Sequence, residues 1–203
     1  VVCINVIIFI AGCKNVELTR RDARYQTVYK GKKFEIREYE EYILAEVEID
    51  GDFGSALQKG FRVLADYIFG GNTSRARINM TVPVTEQAVP SEKIEMTAPV
   101  TSSPIEEGKK YRIAFTMPSK YTLENLPEPA NKMISFRKVS KHKVAALRFS
   151  GNLNSKLATR KAQELGTWLD ENKYPKKSGF VFAQYNPPWI PGIFRKNEVL
   201  TEV

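Results

Sequence analysis

Phe34-Glu-Ile-Arg-Glu-Tyr-Glu-Glu-Tyr-Ile-Leu-Ala-Glu-Val-Glu-Ile-Asp-Gly51 sets a pattern that returns one hundred residues later. The second copy is Ile134-Ser-Phe-Arg-Lys-Val-Ser-Lys-His-Lys-Val-Ala-Ala-Leu-Arg-Phe-Ser-Gly151. In the first copy Phe34, Ile36 and Tyr39 alternate with polar residues, and Ala45, Val47 and Ile49 alternate again before Gly51. A period of two is strand chemistry. Phe53, Leu57, Phe61, Leu64, Ala65 and Ile68 then recur at steps of three and four, one face of an amphipathic helix that Gly70-Gly71 closes. In the second copy Ala145, Leu147, Phe149 and Gly151 are followed by a helical pattern over 154–171, with Leu157, Leu165, Trp168 and Leu169, and Asn172 answers Asn72. A gapless match of strand, strand, glycine and helix predicts an internal duplication.

Further strands are expected at Tyr25–Lys30, Ile78–Val82, Ile94–Thr97, Tyr111–Met117, Phe180–Tyr185 and Phe194–Glu202, with a proline-punctuated crossover over 118–131. The fold class is α+β: duplicated half-repeats forming a curved antiparallel sheet or distorted β-barrel flanked by two helices. A shorter repeat lies inside the first half. Ile78-Asn-Met-Thr-Val-Pro-Val-Thr85 is echoed by Ile94-Glu-Met-Thr-Ala-Pro-Val-Thr101. Proline donates no ladder hydrogen bond, so Pro83 and Pro99 mark strand ends. The plain reading gives each strand a core methionine, Met80 or Met96; the sharper one makes the pair the wall of a pocket.

With 203 residues, 42% apolar and 27% charged, the chain is long enough for one sizeable globular domain. Its formal charge of +8 suits an anionic partner. The Lys and Arg are scattered rather than gathered on one helix, which argues against nucleic acid. Both cysteines fall within the first 13 residues and His142 is the single histidine. A thiol catalyst in the folded part and a multi-histidine zinc site are therefore excluded. The sequence also lacks a Walker loop, a G-x-G-x-x-G turn and a G-x-S-x-G elbow.

Residues 1–12 read as a signal peptide, incomplete at its start. The apolar run Val1–Ile10 is too short to span a bilayer as a helix. Ile10-Ala11-Gly12-Cys13 resembles the lipobox of bacterial lipoproteins, which makes Cys13 the lipidated first residue of the mature chain. Residues 13–25 then form the lipidated cysteine and its polar tether, and 26–203 the ligand-binding domain. A secretory signal or short membrane anchor that happens to contain Ala-Gly-Cys is the alternative. The lipobox reading implies a bacterial cell envelope protein, lipid-anchored and facing the periplasm. Lys14 after the cysteine, in place of the aspartate of inner-membrane retention, favours the outer membrane.

Several ordered motifs carry a further resemblance. They are Phe34-Glu-Ile-Arg37, Tyr67-Ile-Phe-Gly-Gly-Asn72, the doubled Met-Thr-x-Pro-Val, Phe115-Thr-Met-Pro118, Leu126-Pro-Glu-Pro129, Phe149-Ser-Gly151, Tyr185-Asn-Pro-Pro-Trp189 and Arg195-Lys-Asn-Glu-Val199. Over residues 26–203 the chain resembles the SOUL heme-binding family. That resemblance implies a distorted β-barrel with two flanking helices, and reversible, non-catalytic binding of heme or another tetrapyrrole; separately from it, the chain is expected to be a monomer. It also implies a porphyrin lying against the first helix, on Gln58, Phe61, Arg62 and Ala65 with Lys59 near. The bland alternative makes Phe61 core and the cations solvated. Imidazole is the usual strong heme ligand. Some animal relatives carry a histidine ahead of the first helix; here His142, in Ser-Lys-His-Lys, is the sole candidate, and it reads as an exposed turn residue. The duplicated fold also resembles the effector-binding domains of drug-responsive regulators. That makes another lipophilic small molecule the alternative ligand, with Glu35 or Glu95 as the carboxylate to meet a cation. An enzymatic site of Glu, Tyr and Arg is a third reading that no motif demands.

Overall fold

The computed structural model describes residues 23–74, 91–106, 109–186 and 189–203. Cys13, the signal and most of the tether, and the first Met-Thr copy with its predicted strand Ile78–Val82, lie outside these residues.

The first half contains β1 (Tyr25–Lys30), β2 (Phe34–Tyr39), β3 (Tyr42–Asp50), α1 (Phe53–Ile68), β4 (Asn72–Thr73), β5 (Val100–Glu106) and β6 (Lys110–Thr116). The crossover carries β7 (Glu128–Pro129). The second half contains β8 (Ser135–Val139), β9 (His142–Phe149), α2 (Ser155–Glu171), β10 (Val181–Gln184), a 3-10 turn (Gly192–Phe194) and β11 (Asn197–Glu202). Nine strands form one curled antiparallel half-barrel in the order β1-β2-β9-β11-β10-β5-β6-β3-β8, and β4 pairs with β7 beside it.

The hundred-residue step is written into the ladders. Tyr42 faces Val139, Leu44 faces Arg137 and Ala45 faces Phe136 between β3 and β8. Moved by one hundred, these become His142 facing Tyr39, Val144 facing Arg37 and Ala145 facing Ile36, all of them pairs between β9 and β2. Exchanging β2 with β8, β3 with β9, β5 with β10 and β6 with β11 reverses the strand order and leaves it unchanged, with β1 as the one addition. The step slips before the second helix: Asp52 caps α1 whereas Asn154 caps α2, so Leu153 stands outside the helix.

Both helices cover one face of the sheet, α1 on β3 and β6, α2 on β9 and β11. That face supplies Ala45, Val47, Ile49, Ile113 and Phe115 to the core under α1, and Ala145, Leu147 and Val199 under α2. Gly60 lets α1 settle, because a Cβ there would stand 2.4 Å from Ile113 Cγ1.

Two predicted strands shift. Ile94–Thr97 forms no strand of the sheet, and β5 starts at Val100. Pro99 lacks the N–H to continue a ladder, so the segment is held instead by Ile94 N–H donating to Ile68 O at 2.8 Å and by the buried Thr97 hydroxyl donating to Thr116 O. Met96 packs against the core. At the other end Phe194 closes the 3-10 turn and β11 begins only at Asn197.

Candidate functional site

The outer face of α1 is built from the N-cap outward. Asp52 Oδ1 accepts from Gly54 N–H and Ser55 N–H, each at 3.0 Å, and starts the helix. Phe53, Ala56, Gly60, Leu64, Tyr67 and Ile68 then form its buried face. Steps of three and four place Gln58, Phe61, Arg62 and Ala65 on one stripe away from that face, with Lys59 one step from Arg62. Phe61 is 37% exposed, its ring edge set against the buried Phe115 at 5.5 Å between centroids. It is therefore neither core nor free surface: one edge is anchored and the rest is open. Ala65 is half-buried, and Gln58, Lys59 and Arg62 are exposed. Among the described residues neither Lys59 nor Arg62 has an ion-pair partner. The exposed residues of α2 are all polar: Ser155, Lys156, Thr159, Arg160, Gln163, Thr167, Asp170 and Glu171.

The opposite face of the sheet holds a cleft of about 600 Å³. His142 belongs to it. It is the first residue of β9, part-buried, and not the exposed turn residue its polar neighbours suggest. Its ring stacks on Tyr39 at 5.8 Å and 17° and lies 5.9 Å from Tyr42. Nδ1 stands 2.8 Å from Ser140 O. A carbonyl only accepts, so Nδ1 carries the hydrogen, and in the neutral ring Nε2 keeps its lone pair. The cations around this cleft are paired, in contrast to those on α1: Arg112 with Glu48 at 2.7 Å, Arg137 with Glu46 at 3.0 Å, Lys138 with Glu41 at 3.0 Å and Lys141 with Glu38 at 3.1 Å. Burial, with smaller help from the neighbouring Tyr39, pushes the Tyr42 phenol up to about 12.

Next to the cleft lies a buried ionic network that sequence reasoning missed. Fully buried Arg37 donates to Glu198 through Nη1 at 2.7 Å and Nη2 at 2.6 Å, and through Nε to Glu35 at 2.8 Å. Arg148 joins both carboxylates, and Tyr185 donates to Glu198 at 2.6 Å. Burial pulls the Arg37 pKa down, but the bonds and charge of Glu198 more than offset this and hold it above its ordinary value. Glu35 is thus engaged by two arginines and is not a carboxylate waiting for a cationic ligand. Glu95 is exposed on the segment before β5. In the strand, Glu35 and Arg37 alternate like water-facing residues, and the partner Glu198 is too distant in sequence to be guessed.

The expected ligand residues therefore fall into two groups. Gln58, Lys59, Phe61, Arg62 and Ala65 come together outside α1; His142 lies across the sheet from them, so one porphyrin plane cannot use both. The α1 face sets the open ring of Phe61 beside Lys59 and Arg62, which have no ion-pair partner among the described residues, and its stripe brings no imidazole. Among the described residues no group of three or more His, Cys, Asp or Glu is arranged to hold a metal ion.

A family model described as SOUL heme-binding protein matches residues 20–93 and 86–202. Heme-binding protein 1 of Sus scrofa is 26% identical over 181 residues, covering 86% of this chain and 88% of that protein. Heme-binding protein 1 of Xenopus laevis is 27% identical over 177 residues, covering 85% and 86%. Among solved structures the EcmrR C-terminal domain superposes with a TM-score of 0.57 at 12% identity, covering 88% of this chain and 96% of that domain. A hydrolase from Listeria innocua superposes with a TM-score of 0.52 at 10% identity, covering 86% and 93%. At such identities the two structures share the fold alone.

Proposed function

This chain belongs to the SOUL heme-binding protein family, and on that premise we propose that it binds heme or another tetrapyrrole reversibly, without catalysis, on the outer face of α1. The observation that carries this reading is the anchored, open ring of Phe61 beside Lys59 and Arg62, neither of which has an ion-pair partner among the described residues. A porphyrin is a wide apolar plate with two carboxylates. Phe61 and half-buried Ala65 cover part of the plate, and Arg62 offers a carboxylate a bidentate fork with Lys59 as a second charge. Heme would bring its own redox chemistry; the chain's part is to hold the plate and its propionates.

The role proposed is that of a carrier or buffer in a bacterial envelope, anchored through Cys13. The lipobox-like Ile-Ala-Gly-Cys supports this. The mirrored registers of the two ladders support a duplicated origin for the halves. A second reading is favoured by the cleft: Tyr39, Tyr42 and His142 could grip another lipophilic molecule there, or a heme ligated through Nε2.

Hemin titration of the chain, followed in the Soret band, tests both. The expected result is a saturating one-to-one shift, weakened about fivefold to tenfold when Lys59→Ala and Arg62→Ala are combined and untouched by His142→Ala. Metal-free protoporphyrin should bind with similar affinity. Loss of the shift in His142→Ala alone would move the ligand to the cleft. No shift beyond that of an unrelated basic protein would reject tetrapyrrole binding.

A further inference from the structure

Residues 189–194, Trp-Ile-Pro-Gly-Ile-Phe, join β10 to β11 and contain no ionisable side chain. Such a run is ordinarily buried. Here Trp189 is 78% exposed, Ile193 76% and Phe194 68%, the three most exposed large apolar side chains among the described residues.

The exposure is built into a pinned segment. Arg195 Nε donates to Ile190 O at 2.7 Å, Phe194 N–H to Pro191 O at 2.9 Å and Gly151 N–H to Gly192 O at 2.9 Å. Gly192 is packed so closely that a Cβ would lie 2.6 Å from Asn152 Oδ1. A pinned apolar knob has little ordering entropy left to lose when it binds.

Its size and charge select the partner. Three side chains offer a few hundred Å², well short of the roughly 800 Å² per partner of a stable protein interface. A bilayer needs no complementary pocket. Trp and Phe favour its interfacial layer, and two cations, part-buried Arg195 and exposed Lys196, follow directly in sequence. The chain's formal charge of +8 favours an anionic surface.

We propose that residues 189–194 are a membrane-contact element that inserts Trp189, Ile193 and Phe194 into the interfacial layer of an anionic bilayer. This contact belongs to the folded domain and rests neither on lipidation of Cys13 nor on tetrapyrrole binding.

The chain has two tryptophans. Trp168 stacks on Phe34 at 4.8 Å and 5°, a place phenylalanine can fill. Trp168→Phe in the full chain therefore leaves Trp189 as the sole tryptophan reporter. Vesicles of phosphatidylcholine and phosphatidylglycerol, with bromine at shallow acyl positions, provide the partner. Trp189 emission should shift to the blue and be quenched by the shallow bromines. Adding Ile193→Ser and Phe194→Ser should weaken vesicle binding at least tenfold. The proposal fails if the chain sediments with vesicles while Trp189 keeps its water-exposed emission and escapes quenching, since another segment then makes the contact. It fails equally if the chain does not bind, or if Trp189 is buried by self-association in lipid-free buffer.

Discussion

Arg37 and Arg137 occupy equivalent places in two ladders of the same register, facing Val144 and Leu44. Arg37 is fully buried, whereas the Arg137 side chain is 48% exposed. The cause is the neighbouring strand. β1 pairs with β2 and sets the Tyr25 ring 4.7 Å from the Arg37 guanidinium, whereas β8 is itself an edge of the sheet. The helices differ in the same spirit: α1 presents Phe61 and α2 presents only polar residues. A repeated backbone therefore fixes where side chains stand, not what surrounds them.

The largest test of that contrast removes one charge from the surroundings of each arginine. Glu198→Ala leaves Arg37 buried with Glu35 as its remaining carboxylate, and a loss of about 3–5 kcal/mol is expected. Arg137→Ala breaks a pair that is half open to solvent on the arginine side and leaves the buried Glu46 with Arg112 at 3.8 Å, so it should cost less, about 1–2 kcal/mol. Urea unfolding midpoints of the two variants against the parent decide it. Equal losses would mean that the buried network is no more important than an edge-strand pair.

A smaller test compares the helices. Gly60 lies against Ile113 with no room for a methyl group, so Gly60→Ala should destabilise by about 1–3 kcal/mol through overpacking. In α2 the nearest atom to a Cβ on Gly166 is Phe180 Cζ at 3.7 Å, an ordinary contact. Gly166→Ala should stabilise by about 0.5–1 kcal/mol through helix propensity. Thermal melts of both variants check this, and a destabilised Gly166→Ala would mean that α2 is seated as tightly as α1.

Where the sequence was informative, the signal was local. Phe34, Ile36, Ala45, Val47 and Ile49 announce their strands because one face is buried against helices, and the hundred-residue step carries the register with it. Ile94 and Met96 alternate like a strand and are indeed turned to the core, but Pro99 removes the donor that would extend the ladder to them. The two-residue slip at Asn154 is invisible because Leu153 and Leu157 keep the apolar spacing. The α1 stripe was legible from helical period and a family resemblance together. His142 was not, because Ser-Lys-His-Lys resembles a turn and only sheet pairing brings Tyr39 and Tyr42 to it. Arg37 was hidden for the same reason: Glu198 reaches it from 161 residues away.

The smallest expected effect reads the cleft side of the comparison. Tyr42 ionises at about 12 in the fold against 10.0 for a free phenol, chiefly because burial disfavours the charged ring. The raised value means that the folded state holds its proton longer than the unfolded chain. This contribution is complete below pH 10, declines as pH rises from 10 to 12, and is gone above that. A shift of that size sets a ceiling of about 2.7 kcal/mol, and for a part-buried ring about 1 kcal/mol is expected. Tyr42→Phe cannot ionise, so its stability should fall less steeply than the parent's between pH 10 and 12, while the difference between the two proteins stays constant from pH 7 to 9. Unfolding free energies across that range, paired with tyrosinate absorbance, measure it. Parallel curves up to pH 12 would mean that the Tyr42 ring sits in water, and the gripping surface assigned to Tyr39, Tyr42 and His142 would lose its desolvated wall.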